Sequence, residues 1–172
     1  SWRIVWSFHP TREEHLVDEV AAFWLRHGVE AAVRTTATAR SVTVRSRIAA
    51  AWWTRVLGLG RTSYGQRIPD LAWDRPPGDR WALLSGLWEG DGSWSLVNGG
   101  PSVILEFGTV SDELADGAMR MLAGLGIVAS KRTGRTARST RDTHWLRISG
   151  AGQVQRALHL VPERDRPGVR AS

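Results

Sequence analysis

Leu84-Ser85-Gly86-Leu87-Trp88-Glu89-Gly90-Asp91-Gly92 sets the architecture of this chain. Trp81, Leu83, Leu84, Leu87 and Trp88 recur at helical spacing, which predicts a helix over 80–90 with Asp79 as its N-cap. Gly86 and Gly90 lie four residues apart and so share one helical face. Two glycines there remove the side chains that keep packed helix axes roughly 8–10 Å apart. A second helix can then approach closely, as in small-xxx-small packing. The helix ends in acidic and glycine residues and runs directly into a strand-like segment, Ser93 to Val97. An aspartate at such a helix end, Asp91, suits a hard cation.

Working outward, 172 residues accommodate one ordinary domain or two small halves, and a 42% hydrophobic share is enough for a core. The formal charge is +6, carried almost wholly by arginine, with Lys131 the only lysine. Guanidinium pairs with phosphate in bidentate fashion, so this surface favours a polyanionic partner. The absence of cysteine excludes disulfides, thiolate zinc sites and cysteine nucleophiles. The five histidines form no H-x-x-x-H pair. With no run of about 18 apolar residues and no signal peptide, the chain is expected to be soluble and cytoplasmic, nucleoid-associated in a bacterium, with no membrane partner.

In chain order, Trp2–Phe8 reads as a strand, and Thr11-Arg12-Glu13-Glu14 as a capping box opening a helix to about His27. Leu16, Val20, Phe23 and Trp24 form its apolar face, and Gly28 stops it. A hairpin follows (29–36 and 41–45), then a helix over 46–57 carrying Ile48, Trp52, Trp53 and Val56. The stretch 60–78, with three prolines, has linker composition. Beyond the central helix come a hairpin across Asn98-Gly99-Gly100, a helix capped by Ser111 and stopped by Gly126, a second hairpin (127–133 and 143–148) with an arginine-rich loop, and a last helix over 151–160.

Strand, capped helix, Gly-Val or Gly-Ile, hairpin and short helix thus occur twice, about a hundred residues apart, with Gly28-Val29 matching Gly126-Ile127. A repeat of this kind signals a pseudo-two-fold protein. The central stretch resembles the LAGLIDADG motif of homing endonucleases: Leu84, Gly86, Leu87, Asp91 and Gly92 match it letter for letter, and Glu89 replaces its first aspartate conservatively. Gln66-Arg67-Ile68-Pro69-Asp70 is similar to a stretch in intein endonuclease domains. The resemblance implies an α+β fold of two αββαββα repeats whose antiparallel sheets form a DNA-binding saddle. Residues 1–60 would be a first repeat lacking its motif helix and first strand, 61–79 a linker, and 80–172 the second repeat. The missing helix would then belong to a preceding segment or a second chain, or the chain would be a degenerate relative. Ser1 could mimic a splicing nucleophile, but no terminal His-Asn pair accompanies it.

By the same resemblance, the chain would be a site-specific double-strand DNA endonuclease. Asp91 would hold a divalent cation, Mg²⁺, at a scissile phosphate, and Arg67 would stabilise phosphate charge, with Lys131 as the alternative. Glu89 fits helix-end packing better. Gly86 and Gly90 would form the helix interface. Antiparallel ribbons fit the major groove, which makes the hairpins the DNA surface: Arg34, Arg40 and Arg45 in one half, and Lys131, Arg132, Arg135, Arg138, Arg141, His144 and Arg147 in the other. Alternation alone does not fix the face of each, because a one-residue register shift flips the set. Most of the ten tryptophans read as core, with Trp2 and Trp94 standing apart. A DNA-binding protein of this fold without cleavage, and an RNA-binding maturase, are the alternative readings.

Overall fold

The computed structural model of the protein describes residues 2–97, 102–135 and 140–170, Arg170 by its backbone alone. The expected Asn98-Gly99-Gly100 turn and Arg138 lie outside them. The chain forms two compact units, Ser1–Leu57 and Gly58–Ser172.

The first unit runs β1 (Ile4–Phe8), α1 (Glu14–Arg26), β2 (Ala31–Thr35), β3 (Arg40–Val44) and α2 (Arg47–Ala51), which continues as a π-helical turn, Trp52–Val56. Its antiparallel sheet has the order β1-β3-β2. Val42 and Val44 alternate on the covered side of β3 and are fully buried. Trp24 of α1 and Trp53 of the π-turn close over that side against Trp6 of β1. The expected Thr11 capping box is not used. Glu13 takes the cap position, and its carboxylate accepts from the His9 N–H. In the 46–57 segment Ile48, Trp52 and Val56 are exposed, Ala49 and Ala50 are buried, and Trp53 packs against the core. Small alanines bring α2 near the sheet, and the π-turn swings Trp53 inward.

The second unit contains α3 (Pro77–Asp91), β4 (Gly92–Leu96), β5 (Val103–Thr109), α4 (Asp112–Gly124), β6 (Ser130–Gly134), β7 (Thr143–Ser149), α5 (Ala151–Arg156) with a following 3-10 turn to Leu160, and α6 (Arg166–Arg170). Sheet order is β4-β5-β7-β6. The order β5-β7-β6 repeats β1-β3-β2 of the first unit, and Gly28 and Gly126 both adopt positive φ (73° and 79°) just past α1 and α4. Among the described residues, the first unit has no counterpart of α3 and β4. The fold is mixed α+β with antiparallel sheets, as expected from the sequence.

The start of α3 differs from expectation. Pro77 occupies the first helical position, where its missing N–H costs nothing, and Asp79 instead pairs with Arg75 at 2.6 Å. The stretch 61–79, expected as a linker, folds onto the second unit. Ile68 and Ala72 are buried in its core. A Cβ at Gly117 of α4 would lie 2.8 Å from Ile68 Cγ1, so the bare glycine makes the notch that Ile68 fills. Ser111, wholly buried, caps α4 by accepting from the Leu114 N–H (3.2 Å) and donates its hydroxyl to the Gln66 carbonyl (2.5 Å). Proline and glycine composition signalled an irregular path, and this path is fixed by side-chain packing and one shared hydroxyl.

Candidate functional site

The site begins with α3. Leu84 and Trp88 are buried on its inner side, with Trp88 stacked on Phe107 of β5 at 5.1 Å. Ser85 donates to the His159 carbonyl (2.8 Å) and ties the helix to the 3-10 turn. The other side is a row of small residues at four-residue spacing: Gly78, Ala82, Gly86 and Gly90. Ala82, Gly86 and Gly90 are exposed, and a Cβ added at Gly78, Gly86 or Gly90 would meet nothing within 4 Å. Asp91 is the last helical residue and is exposed. Gly92 passes directly into β4. Its N–H returns to the Trp88 carbonyl, and a Cβ there would lie 2.3 Å from that oxygen. Only glycine permits so abrupt a junction, which fixes the backbone beside Asp91. Glu89 is half-buried and lies 3.7 Å from the Arg164 guanidinium.

Arg67 is half-buried along Gly58 and engages two carboxylates, Asp70 at 2.9 Å and Glu113 at 3.5 Å. Asp91 supplies one hard oxygen donor. Among the described residues no group of three or more His, Cys, Asp or Glu is placed to hold a metal ion.

Strand register assigns the hairpin residues to faces. In the second unit Leu105, Phe107, Leu146 and Ile148 point toward the helices. Their neighbours along the strands therefore face away: Ser93 and Ser95 of β4, Glu106 and Gly108 of β5, Trp145, Arg147 and Ser149 of β7, and Ser130, Arg132 and Gly134 of β6. This open face holds a groove of about 400 Å³ lined by Glu106, Arg132, Trp145 and Arg147. Arg147 donates through Nε (3.1 Å) and Nη2 (2.8 Å) to Glu106. Beyond the strand ends, Arg135 pairs with Asp142 (3.0 Å), and Arg141 lies 3.9 Å over the Tyr64 ring. In the first unit, Arg34 shares the open face with Ser41 and Thr43, and Arg45 is exposed one residue past β3.

Three expected contacts are not on these faces. Arg40 stands opposite Thr35 of β2 and pairs with Glu14 of α1, on the helix side. Lys131 stands opposite Leu146 and is held by Asp112 and Asp116 of α4, each at 2.5 Å. His144 Nδ1 lies 3.3 Å from Asp112 and 3.0 Å from the Thr133 hydroxyl. The Lys131 hydrogen bond, opposed by some desolvation, lowers the Asp112 pKa below the usual carboxylate range. Burial disfavours the Lys131 charge, but the bonds to Asp112 and Asp116 outweigh it and raise its pKa above the ordinary lysine value. Each of these side chains braces its own sheet against a helix, Arg40 against α1 and Lys131 and His144 against α4. Trp94 likewise faces the helices, against Gly168 of α6, whereas Trp2 is exposed beside Arg47 (5.7 Å) and Arg55 (6.0 Å). Trp145 on the open face was missed. The isolated glycine in one strand-like run, Gly108, was the available signal, because a strand glycine marks close approach.

Residues 80–162 match the LAGLIDADG-like domain family. This segment is thus similar to a LAGLIDADG-like domain. A curated relative, the uncharacterized protein MJ1054 of Methanocaldococcus jannaschii, is 28% identical over 148 residues, which is 86% of this chain and 16% of that protein. The chain therefore spans about a sixth of its length. Mesophilic variants of the homing endonuclease I-DmoI share the fold with a TM-score of 0.64 at 14% identity, covering 92% of this chain and 79% of theirs. The N-terminal LAGLIDADG domain of DUF199/WhiA gives a TM-score of 0.58 at 15% identity, over 94% of this chain and 74% of that one. I-DmoI is also known in complex with DNA and Mn and with DNA and Ca. No helix among the described residues is long and apolar enough to cross a membrane.

Proposed function

We propose that this chain is the DNA-recognising part of a metal-dependent LAGLIDADG endonuclease. The carrying observation is α3, which buries Leu84 and Trp88 on one side, leaves a small-residue row open on the other, and ends at the exposed Asp91. That row suits a second motif helix, from another segment or chain, at close approach. Each unit offers duplex DNA its own open sheet face, with Arg34 on the first and Arg132 and Arg147 on the second to meet phosphates and base edges. Arg45, Arg135 and Arg141 extend that surface at the strand ends. The complexes of I-DmoI with DNA and divalent ions support the partner and the cation class.

The donor set fits one ligand of a shared Mg²⁺ site. Mg²⁺ takes six oxygens, mostly waters and phosphate oxygens, with one or two carboxylates. Asp91 provides one, and a second carboxylate comes from the partner helix. Held there, a divalent cation would supply water activation and neutralisation of leaving-group charge. Arg67 reaches phosphate by exchanging its Asp70 and Glu113 partners. A second reading, sequence-specific binding without cleavage, is favoured by those two carboxylates on Arg67 and by the single Asp91.

Binding is tested by titrating duplex DNA with the protein, its Arg132→Glu variant and an Arg156→Glu control. Arg156 is exposed on α5, on the helix side. The expected result is salt-dependent binding that Arg132→Glu weakens at least tenfold, with a shallower salt slope, while the control matches wild type within twofold. Equal loss in both variants would overturn the assignment of the open face.

A further inference from the structure

Trp145 sits at the middle of the open face of the second unit, directly opposite Gly108 on β5 and Arg132 on β6. The two ends of its indole touch different strands. A Cβ at Gly108 would lie 3.3 Å from Cδ1 and 3.4 Å from Nε1, and a Cβ at Gly134 would lie 3.3 Å from Cζ3. The ring thus spans from β5 across β7 to β6, bedded on two bare backbones where an added Cβ would press on it. It is half-buried and is not among the residues of the hydrophobic core. Its remaining surface forms part of the groove between Arg132 and Arg147.

A broad apolar plate flanked by guanidinium groups matches one feature of duplex DNA. In the major groove, phosphates and acceptor edges suit the arginines, and the thymine C5-methyl is the apolar group on offer. We infer that Trp145 is a specificity-determining residue that packs against thymine methyl groups in the major groove of bound duplex. The inference rests on the DNA-binding reading above. It assigns to the indole a base preference that the arginines, fixed on phosphates or guanine, do not supply.

The test begins with selection of bound sequences from a random duplex library by the 172-residue chain. In the selected duplex each thymine is then replaced singly by deoxyuridine, which deletes the methyl and keeps the pairing. At one or more positions wild type is expected to lose about fourfold in affinity, the scale of one buried methyl. Trp145→Ala is expected to cut that loss below twofold with an unchanged salt slope. Gly108→Val, which lifts the ring, is expected to do the same should the alanine variant fail to fold. The inference is overturned when every deoxyuridine duplex binds wild type within twofold of the parent, or when both variants keep the full discrimination. Failure to retain any duplex, or preference for single strands or RNA, overturns the DNA-binding reading itself and is distinct from loss of thymine discrimination alone.

Discussion

Replacing Gly86 by alanine separates two roles that glycine could have in α3. A glycine needed for packing within this chain would make the substitution destabilising. In the structure Gly86 is exposed at mid-helix, and a Cβ there meets nothing within 4 Å. The steric cost is therefore nil, and alanine gains its helix propensity over glycine, about 0.8–1.0 kcal/mol. Gly90→Ala is worth less, roughly 0.5 kcal/mol, because the helix ends one residue later. The double variant should be more stable than wild type by about 1.5 kcal/mol in urea denaturation followed by tryptophan fluorescence. Gly92→Ala is the internal contrast. Its Cβ would lie 2.3 Å from the Trp88 carbonyl, so it should lose about 1–3 kcal/mol through overpacking. Added methyls on the open row also hold a partner helix away, so the more stable Gly86→Ala protein should show at least tenfold lower DNA nicking. A Gly86→Ala variant less stable than wild type would refute the reasoning, because it would mean that the row is already packed.

Three further outcomes follow from the helix caps and from the Lys131 brace of the second unit. Ser111→Ala removes a cap and leaves the Gln66 carbonyl without its donor, which should cost about 2–4 kcal/mol. Ser46→Ala, which loses only the bond from the Ala49 N–H, should cost about 1 kcal/mol by the same urea measurement. Lys131→Met should lower stability most near neutral pH. The lowered Asp112 pKa means its contribution is present above the ordinary carboxylate value and is lost as pH falls through the lowered one. The raised Lys131 pKa means its contribution is full below the ordinary lysine value and fades as pH rises through the raised one. The gap between wild type and Lys131→Met, read as urea midpoint against pH, should therefore narrow in acid and in strong alkali.

Much of this fold is written locally. The apolar spacing of α3, the glycine stops after α1 and α4, and the Ser111 cap are each decided by neighbouring residues, and each is legible in the sequence. Residues that depend on distant partners are not. Lys131 and His144 look like DNA-facing cations until Asp112 and Asp116, on a helix more than ten residues away, are brought beneath them. Arg40 turns inward because Glu14 waits on α1. The period of two along a strand separates Arg132 and Arg147 from Lys131 and His144, but the register that assigns each set to a face comes from pairing β6 with β7. The 61–79 stretch misleads for a related reason: Pro and Gly set an irregular path, and only the Gly117 notch shows where Ile68 docks. In the candidate site, Asp91 is legible from the motif, whereas Trp145 needed the placement of two strand glycines.

The most direct test of the central claim, that α3 delivers one metal-binding carboxylate at Asp91, is a nicking assay on a plasmid library in Mg²⁺ with wild type and Asp91→Asn, alongside duplex binding by both. The account predicts Mg²⁺-dependent nicking that Asp91→Asn reduces at least a hundredfold while its duplex affinity stays within threefold of wild type. Equal nicking by the two proteins would contradict it.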